Sequence, residues 1–113
     1  MPASRALITM DQYTSDVFAS LVGQIFCFHR AADAADPAMQ FELLEVESSP
    51  RRASADIRQP FSLLFALRGG EASPQDTLLY LRHDDFEPCP WFVNRVAVPG
   101  RDQRTAYYEA VFG

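Results

Sequence analysis

The sequence predicts a mainly β domain: a six-stranded antiparallel sheet curled into a small barrel or roll, with one short N-terminal helix. Three observations carry that expectation. Apolar residues recur at strand spacing through most of the chain, and only one stretch, near residues 14–23, has helical spacing. The links between these stretches are short and polar, punctuated by Gly and Pro. A chain of 113 residues, 48% hydrophobic and 22% charged, fits one domain (1–113), with about residues 1–13 as an N-terminal extension.

Taken in order, Leu7-Ile8 reads as a brief extended stretch. Thr14 or Ser15 can cap a helix, Asp16 suits its first turn, and Val17, Phe18, Leu21 and Val22 share one face. Gly23 supplies a left-handed residue to end it after about two turns. A helix so short must dock on an apolar surface to persist. Ile25-Phe26-Cys27-Phe28-His29 is the first strand, and residues 31–37 read as a hairpin connection. Met39, Phe41 and Leu43 then alternate, but Leu44 and Val46 carry the apolar residues onto the other parity. That switch predicts a bulge near Leu43-Leu44 or a strand covered on both faces.

Residues 48–59 form the longest polar loop and carry Arg51, Arg52 and Arg58. The most apolar strand follows over residues 61–67, central by its near-continuous hydrophobicity. Gly69-Gly70 and Ser73-Pro74 mark a turn, and residues 77–82 are the next strand, ended by His83-Asp84-Asp85. Pro88 and Pro90 argue against a sheet interior over residues 87–90. Residues 91–98 and 105–112 complete the set.

Composition excludes a good deal of chemistry. The chain holds ten Arg and no Lys, so it has no Schiff-base lysine, no phosphate-loop lysine and no Ser-x-x-Lys nucleophile. A net charge of −5 argues against generic binding to nucleic acid or anionic membranes. No apolar run is long enough to span a bilayer. Met1-Pro2-Ala3-Ser4-Arg5 lacks the apolar core of a signal peptide, which places the chain in the cytoplasm as synthesised, with a virion-like or extracellular assembly open to it. Cys27 and Cys89 are too few for a disulfide framework. They read as two reduced thiols, at least one buried, unless their strands meet.

Candidate chemistry is sparse. Cys27 and His29 share a strand face, but i and i+2 lie about 7 Å apart at Cα and no third group orients them, so packing is the better reading. Cys27, His29, His83 and Cys89 lack the spacing of zinc modules, and no metal or other cofactor is expected. Asp84 and Asp85 diverge on an extended chain, and Glu45 and Glu47 share a face only at a strand exit. His83, with its charged form favoured by the two aspartates, reads as a turn fastener. No catalytic residue emerges. Arg51, Arg52 and Arg58 could grip an anion or a partner, although solubility alone explains exposed arginines. Tyr107 and Tyr108 fall on opposite faces of the last strand, so one should be exposed, and Trp91 alternates with Phe92 in the same way. Tyr107, Tyr108 and Trp91 thus join the three arginines as candidate partner contacts.

Several segments together resemble a known family. They are Leu21-Val22-Gly23-Gln24-x-Phe26, Phe41-Glu42-Leu43-x-Glu45-Val46, Pro60-Phe61-Ser62-Leu63-Leu64-Phe65, Gln75 before Tyr80-x-x-His83, and Tyr108-Glu109-Ala110-Val111-Phe112. Their order and spacing are similar to a family of small bacterial proteins known only as a domain of unknown function. Where that pattern has a Pro after the His and a Gly beyond, this chain has Asp84 and Glu87. The resemblance implies company with phage-tail-collar or tail-fibre-like proteins, hence a structural or assembly role with no catalytic residue to carry over. The leading expectation is a non-enzymatic β domain acting through a protein partner, of tail-collar or fibre type, or through self-association. It predicts an exposed aromatic patch or a free edge strand at residues 107–112 or beside the 48–59 loop. The alternative is a ligand-binding barrel with a cavity lined by Phe28, Phe41, Phe61 and Phe65. A third reading, an enzyme, needs His29 or His83 beside a carboxylate in a cleft.

Overall fold

The computed structural model describes residues 7–30, 39–48, 60–70 and 77–112. Within them the chain runs through a 3₁₀ turn (Met10–Gln12), helix α1 (Ser15–Ala19) and strands β1 (Ile25–His29), β2 (Met39–Ser48), β3 (Phe61–Gly70), β4 (Thr77–His83), β5 (Phe86–Val96) and β6 (Tyr107–Phe112). The six strands close into a barrel in the order β1-β2-β3-β6-β5-β4, every neighbouring pair antiparallel. The barrel expected from strand spacing is therefore present. The free edge expected at residues 107–112 is present only in part: β6 pairs with β3 over its whole length but with β5 only over residues 107–109.

Alternation decides what fills the barrel. Phe26 and Phe28, Phe41 and Leu43, Leu63 and Phe65, Leu79 and Leu81, Trp91 and Val93, and Tyr108 and Ala110 are the inward positions of successive strands, all buried. The parity switch in β2 has the predicted cause, a register irregularity between Leu43 and Glu45 opposite β3. Gly69 and Gly70, expected in a turn, instead extend β3 and pair with Gln40 and Met39. Pro88 and Pro90 also lie within a strand, contrary to expectation. Pro90 pairs with Tyr80, and Pro88 falls at the irregularity between Leu81 and His83. Proline survives there because β5 bonds to β6 only from Asn94 to Val96, leaving its first half edge-like on that side.

The N-terminal segment plugs one end. Ile8 forms a parallel bridge with Phe86, its N–H donating to the Asp85 carbonyl at 3.0 Å, so part of the expected extension packs on the barrel. Thr14 caps α1 by accepting from the Val17 N–H at 3.3 Å, and Phe18 turns inward. The helix is shorter than two turns, and Gly23 comes after a further turn, at φ +95°. Its N–H donates to the Leu43 carbonyl at 2.8 Å, tying the turn to β2. Phe18 meets Phe26, Phe61 and Phe86 at the starts of β1, β3 and β5, Phe112 at the end of β6, and Trp91 in the middle of β5. No described helix is long and apolar enough to cross a membrane.

Candidate functional site

The interior holds a cluster of buried aromatic and aliphatic side chains. Phe28 lies 5.2 Å from Phe41 and 6.1 Å from Phe65 between ring centroids, and Phe41 lies 5.7 Å from Phe65. Phe61 stacks on Phe112 at 5.3 Å. The four phenylalanines expected to line a cavity are all members of this buried cluster. At the plugged end, the buried Trp91 donates its Nε1–H to Tyr13 Oη at 3.1 Å, and that hydroxyl shares a second hydrogen bond with Cys89 Sγ at 3.3 Å. Burial pushes the Tyr13 phenol up, and the bond to Cys89 adds to it, so the hydroxyl stays neutral across the physiological range.

The thiols and imidazoles do not converge. Cys27 and Cys89 are free; β4 separates their strands. Cys27 is opposite Gln40 and Arg82, on the outer side of β1, whereas Cys89 reaches inward to Tyr13. His29 is 3% exposed, opposite Tyr80, and its Nδ1 has no hydrogen-bond partner. His83 lies against Phe26 and Phe86, and its Nδ1 accepts the Asp85 backbone N–H at 3.0 Å. It fastens the turn, as expected. Its titration runs the other way from expectation: burial pushes His83 down, outweighing the opposite pull of Asp85 and Asp84. Among the described residues no three His, Cys, Asp or Glu side chains group as metal ligands. Glu45 is taken up by an exposed ion pair with Arg101 at 3.1 Å.

Two surface features remain. The first is apolar. Leu78, Phe92 and Val111 are 50%, 58% and 60% exposed on the outside of β4, β5 and β6. Leu78 pairs directly with Phe92; Asn94 pairs with Glu109, and that register, continued by two residues, sets Phe92 opposite Val111. The second is a cavity of about 530 Å³ at the end of the barrel away from α1, between the β5–β6 connection and the outer wall. Val96 and Tyr107, paired in register, line it together with Val98, Pro99 and the polar residues of the connection.

Of the proposed contact residues, Arg51, Arg52 and Arg58 lie outside the described residues. Trp91, Tyr107 and Tyr108 are 1%, 7% and 0% exposed, which corrects the expectation of an exposed tyrosine. Tyr108 stacks on Phe41 inside the barrel at 4.9 Å, and Tyr107, although outward, is buried at the cavity wall. The exposed aromatic is Phe92, the alternate of Trp91. Sequence reasoning named the pair and took the wrong member; the signal it had was parity, because Trp91 shares a face with Val93.

Tyr13, in the plug, lies against Phe112, the last residue of β6, with ring centroids 5.4 Å apart. Those two residues also bound a match to a family described as a domain of unknown function, DUF6916, which spans residues 13–112. The chain belongs to this family. No curated protein and no solved structure matches it. The matched span of this DUF6916 domain takes in α1, all six strands and both surface features, while the Ile8 bridge and the 3₁₀ turn lie just before it.

Proposed function

We propose that this domain is a non-enzymatic contact module, which binds a protein partner through the outer face of β4, β5 and β6. The observation that carries the reading is the run of Leu78, Phe92 and Val111, three large apolar side chains each at least half exposed on adjoining strands. Isolated exposed apolar residues are ordinary, but a contiguous group on one sheet face has a hydration cost that a partner removes. The packed interior supports the same reading, since the barrel spends its aromatic residues on its own core. A structural or accessory subunit of a larger assembly fits such a module. The tail-like setting implied by the family resemblance is one example, and nothing in this face is specific to it.

Site-directed photo-crosslinking in the native host tests the reading. A photoreactive phenylalanine analogue at position 92 should yield a discrete protein adduct, while the same analogue at exposed Glu47, on β2, should not. Absence of an adduct from position 92, or equal adducts from both, counts against the module.

A further inference from the structure

We propose that the Leu78–Phe92–Val111 face takes a protein segment that carries an arginine between apolar residues, with Glu109 as the counterpart of that arginine. The inference rests on the contact-module reading and adds the chemistry of the partner. Glu109 is the outward residue of β6 two positions from Val111, and the ladders pair it with Leu64 of β3 and Asn94 of β5. Asn94 is in turn two positions from Phe92 along β5. The carboxylate is therefore half-buried at the border of the apolar group. Among the described residues no side chain pairs with it; the ion pairs on this side of the barrel take Glu42 and Glu45.

That placement restricts what can cover the face. Same-face neighbours on a strand are about 7 Å apart, so a partner seated on Phe92 and Val111 also lies over Glu109. A carboxylate that loses its water without gaining a cation opposes the gain from burying the apolar trio. A wholly apolar or acidic surface is thereby disfavoured, and a basic one is matched. The same molecule shows the solution one ladder away: Glu45, across Leu64 from Glu109, is held by Arg101 at 3.1 Å. Arginine suits the site better than lysine. Its planar guanidinium can lie on an apolar or aromatic surface while its in-plane N–H groups reach the two carboxylate oxygens.

The test has two arms. In the first, the full-length chain is titrated with a capped hexapeptide alternating leucine and arginine, and with its leucine–glutamate counterpart, and backbone amide shifts are followed. The arginine peptide should move the amides of Leu78, Phe92, Glu109 and Val111, and the glutamate peptide should not. Glu109→Gln should weaken the arginine peptide about tenfold, the size of one charge-assisted hydrogen bond. Glu47→Gln makes the same change in net charge on β2 and should leave the affinity as it was. Equal binding of both peptides, or equal effects of the two substitutions, would overturn the assignment. In the second arm, the photoreactive analogue at position 92 is combined with Glu109→Arg in the native host. The adduct should fall at least about tenfold, and Glu47→Arg should preserve it. An adduct undiminished by Glu109→Arg would keep the contact face and reject the basic partner, whereas no adduct from the parent would reject both. An adduct of twice the mass of the chain would make the occupant a second copy and overturn the assignment to a separate protein.

Discussion

At the scale of single residues, the Tyr13 hydroxyl is the most informative polar atom. It is fully buried, takes the Trp91 indole N–H and shares a bond with Cys89, far from both in sequence. Tyr13→Phe keeps the ring contacts and removes the acceptor, so the indole N–H is stranded; a loss of about 1–3 kcal/mol in urea denaturation is expected. In the background of Trp91→Phe, which removes that donor, Tyr13→Phe should cost measurably less, and strict additivity would contradict the coupling. His83 gives a pH signature. Its folded pKa lies below the ordinary 6.5, so the unfolded chain takes up the proton first as pH falls. The contribution is therefore complete above about pH 6.5 and lost as pH drops through the folded value. Protonation would also put a hydrogen on the Nδ1 that accepts the Asp85 N–H. His83→Gln should flatten the stability–pH curve between about pH 7 and pH 5 relative to the parent. A curve unchanged in shape would mean that the imidazole does not titrate differently on folding. What the sequence could not show at this scale is burial by a neighbouring segment. Parity put Tyr107 and Tyr108 on opposite faces of β6 without saying which faces out, and the outward one, Tyr107, lines the cavity at the β5–β6 connection and is only 7% exposed.

Elements were legible wherever local chemistry decides them. The Thr14 cap, the parity switch in β2 and the strand character of residues 25–29 all follow from nearest neighbours, and all are found. The misreadings concern residues whose meaning depends on distant pairing. Gly69-Gly70 and Pro88-x-Pro90 look like breaks in isolation, but long partner strands carry the ladder through them. A strand on a closed barrel tolerates proline where its second neighbour has already diverged, which only the topology reveals. Gly23 is the converse case, a glycine required locally. At φ +95° it turns the chain from α1 into β1 while donating to Leu43, and no atom crowds the position of a Cβ. The penalty of a side chain there is purely conformational. Gly23→Ala should destabilise by about 1–2 kcal/mol, and Gly23→Asn by less, since Asn visits the left-handed region more easily. Equal costs for Ala and Asn would point to lost space rather than backbone strain.

For the whole molecule, closure distributes stability unevenly around the barrel. β2 and β3 pair over nearly their full lengths, from Met39 with Gly70 to Ser48 with Phe61. Two seams are short by comparison: Cys27–His29 with Tyr80–Arg82 between β1 and β4, and Asn94–Val96 with Tyr107–Glu109 between β5 and β6. A short seam can part while the long ladder holds, so exchange there proceeds by local opening rather than global unfolding. Amide hydrogen exchange should place the β2–β3 ladder in the slowest class and both seams at least about tenfold faster. Uniform protection would instead make the barrel one cooperative unit.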